Sequence, residues 1–83
     1  MFTCSPKELA LLIANRRKNL KLSQAAVGKL VGLKQQTISE FEKRPEGTKL
    51  DTLFRILSAV KLDITVLNKN EKTPKASQWN EEW

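Results

Sequence analysis

Lys34, Gln35, Gln36 and Ser39 are the residues of this chain whose types and spacing could do chemistry. That chemistry is recognition rather than bond making. A glutamine amide can bond bidentately to N6 and N7 of adenine in a major groove. A lysine can donate to O6 and N7 of guanine, and a serine can meet base or backbone. Read as a helix, this stretch puts Gln36, Ser39, Glu40 and Lys43 on one face, with Gln35 at its boundary, and Ile38, Phe41 and Glu42 on the other. Lys43 apart, the outward face is short and polar, as side chains that reach base edges require. Ser23, Gln24, Thr37, Lys43 and Thr48 are candidates for DNA phosphates, Gln24 with help from the N–H groups at the start of its helix. Bond-making chemistry has no equivalent set. The chain has no His and one Cys, Cys4. That excludes an internal disulfide, a Cys–His pair and a zinc cluster. No nucleophile–base pair or phosphate loop can be assembled, so no enzyme, metal or cofactor is expected.

Two helices must hold these residues. Ser23 is placed to cap the first, on which Val27, Leu30 and Val31 mark an apolar face. Gly32 stands where that helix must stop and the chain must turn with φ > 0. The second begins at Lys34-Gln35-Gln36. Upstream, Ser5-Pro6-Lys7-Glu8 reads as a helix start with a capping box. Leu9, Leu12, Ile13, Arg16 or Arg17, and Leu20 carry that stripe to about residue 20. Arg17 follows Ile13 by four residues, and Glu42 follows Ile38 by four. Both charges thus fall on apolar faces, where either alone is costly. They are expected to pair; the alternative is that Arg17 snorkels to solvent or phosphate. Downstream, Lys43–Gly47 is a basic loop with turn chemistry, and Thr48-Lys49-Leu50-Asp51 resembles a second capping box. Leu50, Leu53, Phe54, Leu57 and Val60 then form the most regular apolar stripe, a fourth helix over about 49–60 expected to close the core.

Gln24, the small residue Gly28, Gly32, Ile38-Ser39 and Glu42 stand at the spacing of the helix-turn-helix in the phage repressor, Cro and Xre family. The resemblance implies an all-α, lambda-repressor-like domain of four to five short helices. It also implies an Arg17–Glu42 salt bridge tying helix 1 to helix 3. One departure is Gly28, where the family usually has alanine. Glycine inside a helix costs about 1 kcal/mol relative to alanine, yet permits close approach of the two helices.

The chain of 83 residues carries 15 basic and 9 acidic residues, net +6. Residues 1–69 hold 13 basic and 6 acidic residues, and residues 70–83 hold 2 and 3. The part expected to fold is thus the basic part, which suits a phosphate-binding surface. The length suits one small domain. A single Cys suits a reducing compartment. No stretch approaches the ~20 apolar residues of a membrane span, and no secretory leader is recognisable. A cytoplasmic, nucleoid-associated location is expected.

The period changes after the fourth helix. Leu62, Ile64 and Val66 alternate with Asp63 and Thr65, a strand signature. One strand cannot satisfy its own backbone, and no other segment reads as its partner. The simplest solution is the same strand from a second copy, giving a homodimer; the alternative is an extended segment packed on helix 4. The organisation expected is a helix-turn-helix domain over 1–61, a dimerisation strand over 62–69 and a flexible tail over 70–83. Trp79 and Trp83 lie in that polar tail. They read either as anchors for a partner or as residues folding back on the domain.

Helix-turn-helix, fourth helix, strand and a tail with Glu81-Glu82-Trp83 together resemble the HipB antitoxins. The resemblance implies a dimeric repressor of pseudo-palindromic operator DNA. It also implies that the protein neutralises a HipA-like serine/threonine kinase toxin, with Trp79 and Trp83 as candidate toxin contacts, and autoregulates its operon. The alternative is a stand-alone Cro/Xre-type phage or chromosomal repressor with no toxin partner.

Overall fold

The computed structural model describes residues 5–68. Cys4, Trp79, Trp83 and the tail of residues 70–83 lie outside the described residues. Four α-helices follow one another: α1 (Pro6–Asn19), α2 (Gln24–Val31), α3 (Gln35–Lys43) and α4 (Leu50–Ala59). A single 3₁₀ turn, Pro45–Gly47, links the last two. The all-helical expectation holds for the described residues.

The expected helix starts are present at α1 and α2. Ser5 Oγ accepts from the Glu8 amide at 3.1 Å, with Pro6 at the first helical position. Ser23 Oγ accepts from the Ala26 amide at 3.0 Å. Each cap satisfies one of the N–H groups that a helix start leaves without an internal partner. Gly32 ends α2 at φ 72°, ψ 32°, the left-handed conformation its position required. The expected cap at Thr48 is not formed. Lys49 occupies the cap position of α4 without a side-chain hydrogen bond, because the Thr48 amide closes the 3₁₀ turn onto the Pro45 carbonyl at 3.0 Å. Asp51 pairs instead with Arg55, one turn along the exposed surface, at 3.4 Å.

The core takes one or more side chains from every helix. Ile13, Val27, Ile38, Ile56 and Val60 are the largest fully buried ones, with Ala10, Phe41, Leu57 and Ala59 around them. Burying each large aliphatic stabilises the fold by about 1.5–3 kcal/mol. Two expectations about the core need correction. Leu30 is 63% exposed, so the α2 face narrows to Val27 and a half-buried Val31. On α4, Leu50 and Phe54 are 71% and 55% exposed. Ile56, Leu57, Ala59 and Val60 close the core in their place. Leu53 stays half-buried against the core, so α4 buries its C-terminal half and turns Leu50 and Phe54 outward.

Residues 62–68 adopt no regular secondary structure in the single chain. Leu62 packs against the core, while Ile64 and Val66 are exposed. The alternating pattern predicts a strand here; a ladder needs a second strand, and none of the described residues supplies one. None of the described helices is long and apolar enough to cross a membrane.

Candidate nucleic-acid interface

The α2–α3 corner begins with the pair expected from sequence. Arg17 Nε donates to Glu42 Oε2 at 2.8 Å, and Nη2 donates to Oε1 at 3.2 Å. The two side chains are only 11% and 13% exposed. Arg17 Nη1 also donates to the Leu22 carbonyl at 2.8 Å. The guanidinium thus ties α1 to α3 and to the turn preceding α2. Its planar fork suits this task, since two parallel N–H bonds fix both distance and orientation.

A second hydrogen-bonded step leads outward. Gln24 Nε2 donates to Glu42 Oε1 at 3.0 Å, and Gln35 Nε2 donates to Gln24 Oε1 at 3.0 Å. The polarity of this relay has a chemical cause. An ionised carboxylate only accepts, so Gln24 must turn its NH₂ towards Glu42 and its oxygen towards Gln35. Gln35 must then offer its own NH₂ to Gln24. Its Oε1 and second N–H remain for another partner, which is the donor–acceptor pair an adenine edge needs. Gln24 is therefore a bridge between the ion pair and the start of α3. Sequence reasoning placed it at a phosphate and missed this role, because the bridge depends on how two helices cross.

The other expected residues fall around this relay. Lys34 is the exposed cap residue of α3, and Gln35 and Gln36 are exposed in its first turn. Ser39 and Thr37 are half-buried, and Lys43 is exposed at the last turn. Ser23 is exposed with its hydroxyl engaged as a cap. Thr37 and Thr48 line one groove of about 560 Å³ between α3 and α4. Arg44 and Lys49 line it too, as do Glu40 and Glu46. The two cations were not singled out from sequence as DNA contacts, although Arg44 lies in the basic loop that begins at Lys43.

A helix-turn-helix family model matches residues 13–67. Antitoxin HipB of Escherichia coli K12 is 36% identical over 80 residues, covering 95% of this chain and 91% of that protein. The chain belongs to the HipB antitoxin family. Solved structures of HipB proteins share its architecture. A HipB–O4 20mer complex superposes with a TM-score of 0.81 at 34% identity, covering 84% of this chain and 99% of that one. A HipA–HipB–O2–O3 complex gives 0.82 at 34% identity, with the same coverage. The HipB match runs through nearly the whole chain, so it takes in more than the helix-turn-helix.

Proposed function

We propose that this protein is a dimeric, sequence-specific DNA-binding repressor that serves as the antitoxin of a HipA-like serine/threonine kinase and represses its own operon in the bacterial cytoplasm. The observation that carries the reading is the relay Arg17–Glu42–Gln24–Gln35, which ends on an exposed glutamine at the start of α3. Such a relay holds one amide in one orientation, which a merely solvated glutamine does not need. HipB relatives solved with a 20mer and with HipA support the choice of partners.

In this reading Lys34, Gln35, Gln36 and Ser39 meet base edges. Ser23, Gln24, Thr37, Lys43 and Thr48 hold phosphates, with the α2 N-terminus adding its positive end. The dimer is held partly by residues 62–67. Ile64 and Val66 are 43% and 77% exposed in the single chain, and a two-stranded ribbon with a second copy would pair their backbone. The exposed Leu50 and Phe54 of α4 offer that second copy further apolar surface. Trp79 and Trp83 contact the kinase.

Selection from a pool of random-sequence duplexes tests the reading. A two-fold dimer should enrich a pseudo-palindrome whose half-sites lie about 34 Å, or one helical turn, apart. Enrichment of no common sequence would rule out the repressor.

A further inference from the structure

Arg16 and Arg17 are neighbours on α1, and each holds a backbone carbonyl where a helix ends. Arg17 Nη1 donates to the Leu22 carbonyl at 2.8 Å, just past the end of α1. Arg16 Nε donates to the Val60 carbonyl at 3.1 Å, at the C-cap of α4. The first bond lies beside the corner that carries Gln24 and Gln35. The second lies where the chain leaves α4 for residues 62–67.

The Val60 carbonyl belongs to the peptide that leads into Lys61, which takes φ 59°. A residue with a Cβ adopts that left-handed conformation at a cost. It keeps it only where surrounding bonds over-determine it. The Lys61 amide donates to the Ser58 carbonyl and the Leu62 amide to the Leu57 carbonyl, both within α4 and its own end. The Arg16 bond differs, because it refers the turn to α1. Carbonyls at a helix C-terminus lack an internal partner, so without Arg16 this peptide is free to turn towards water. Leu62 packs on the core, and residues 63–66 beyond it are exposed. Their direction therefore follows from the turn that precedes them.

We propose that Arg16 is a positioning residue for half-site spacing. Its bond to Val60 aims residues 62–67 from the same helix that Arg17 ties to the reading corner. The distance between a reading helix and the dimer axis is then fixed through α1. The inference deepens the proposed function and rests on the ribbon of residues 62–67 and on base reading by α3. A base pair inserted between half-sites moves one of them by about 3.4 Å along the duplex and about 35° around it. A rigid dimer cannot follow both changes, whereas a dimer whose strands leave the domains through a loosened turn can.

Two substitutions separate the donor from the charge. Gln Nε2 stands as many bonds from Cα as Arg Nε, so Arg16→Gln keeps the donor and loses the charge. Arg16→Met keeps the length and loses both. The full-length wild type first selects its preferred duplex from a random-sequence pool. Affinity is then measured for that duplex, for versions with one base pair added or removed between the half-sites, and for a single half-site. Dimer strength is followed by sedimentation, with Ile64→Pro alongside. Wild type should prefer the selected spacing by about tenfold or more. That ratio should fall below about threefold in Arg16→Met and recover in Arg16→Gln. Single half-site affinity should stay within about twofold of wild type in both. A wild type indifferent to spacing would overturn the proposal, and so would Arg16→Met with the wild-type ratio. Arg16→Gln behaving as Arg16→Met would also overturn it, since the bond to Val60 would then not be the cause. An equal loss on the single half-site would reduce Arg16 to a support of the fold. If Ile64→Pro keeps the wild-type dimer and ratio, the ribbon itself fails, and the role of Arg16 with it. If Ile64→Pro loses its dimer while Arg16→Met keeps the wild-type ratio, only the role of Arg16 fails. Should Arg16→Met be unfolded in buffer, all the proteins are compared in trimethylamine N-oxide, which strengthens burial, and the same ratios decide.

Discussion

Glu42 accepts from two side chains at once, Arg17 behind it and Gln24 in front. A carboxylate this far from water needs those donors, since an unpaired buried charge is costly. Removing either member of the Arg17–Glu42 pair should destabilise the protein by about 3 kcal/mol, at the lower end of the range for buried pairs. Both side chains keep slight exposure, which softens the loss. Chemical denaturation of Arg17→Met, Glu42→Gln and the double variant checks this. A cycle with no coupling energy would mean that the contact does not bind the helices. Gln35 and Lys43 differ in what they should do. Gln35→Ala should cost about 1–3 kcal/mol on the selected duplex and almost nothing on random DNA. Lys43→Ala should weaken both alike and lower the salt slope by about 1. Titrations at three salt concentrations distinguish these outcomes.

At the scale of elements, two helices end in a way the residue types did not announce. Lys21 and Lys61 take φ values of 60° and 59°. Each follows a helix and closes it: the Lys21 amide donates to the Lys18 carbonyl at 2.9 Å, and the Lys61 amide to the Ser58 carbonyl at 3.2 Å. The next residues bond further back, Leu22 to Arg17 and Leu62 to Leu57. Glycine is usual at such a position because a Cβ there costs about 1–2 kcal/mol. Lys21→Gly should relieve that strain and lose about 0.4–1 kcal/mol through a freer unfolded chain. A net gain of about 0.5 kcal/mol is expected, seen as a melting point about 2–4 °C higher. A lower melting point would show that the Lys21 side chain stabilises the turn by more than its strain. The ribbon proposed for residues 62–67 belongs to this scale too. Ile64→Pro removes a ladder donor and should weaken both dimerisation and operator binding. A dimer unchanged in analytical ultracentrifugation would reject the ribbon.

For the whole molecule, residues 5–68 and residues 70–83 have different tasks in the proposed function. Residues 70–83 carry both tryptophans and a net charge of −1. An aromatic anchor can fill a desolvated pocket, and a tail and a domain that bind one partner act as linked sites. A chain truncated after Lys69 and the Trp83→Ala variant should both keep full operator affinity, because α3 and residues 62–67 remain. Both should bind the HipA-like kinase less tightly and protect cells from it less well. Full kinase affinity in both would remove Trp83 from the interface. Retained kinase binding by the truncated chain together with lost operator binding would reverse the division of tasks.

Local physics wrote part of this fold directly into the sequence. Ser5, Ser23 and Gly32 mark helix ends through bonds and backbone angles that involve only their near neighbours. Ile13, Val27 and Ile38 fall on buried faces because helical period alone places them there. The Arg17–Glu42 pair was legible because two opposite charges on apolar faces have few other ways to be stabilised. What tertiary structure decided is of another kind. Periodicity gives the direction of an apolar face and says nothing of how much of it neighbouring helices cover, so Leu50, Phe54 and Leu30 looked like core and lie outside. The Gln24 bridge to Gln35 and the Arg16 bond to Val60 depend on how the helices cross. Those separations of a few ångströms are set by packing across the whole domain, and no spacing along the chain encodes them.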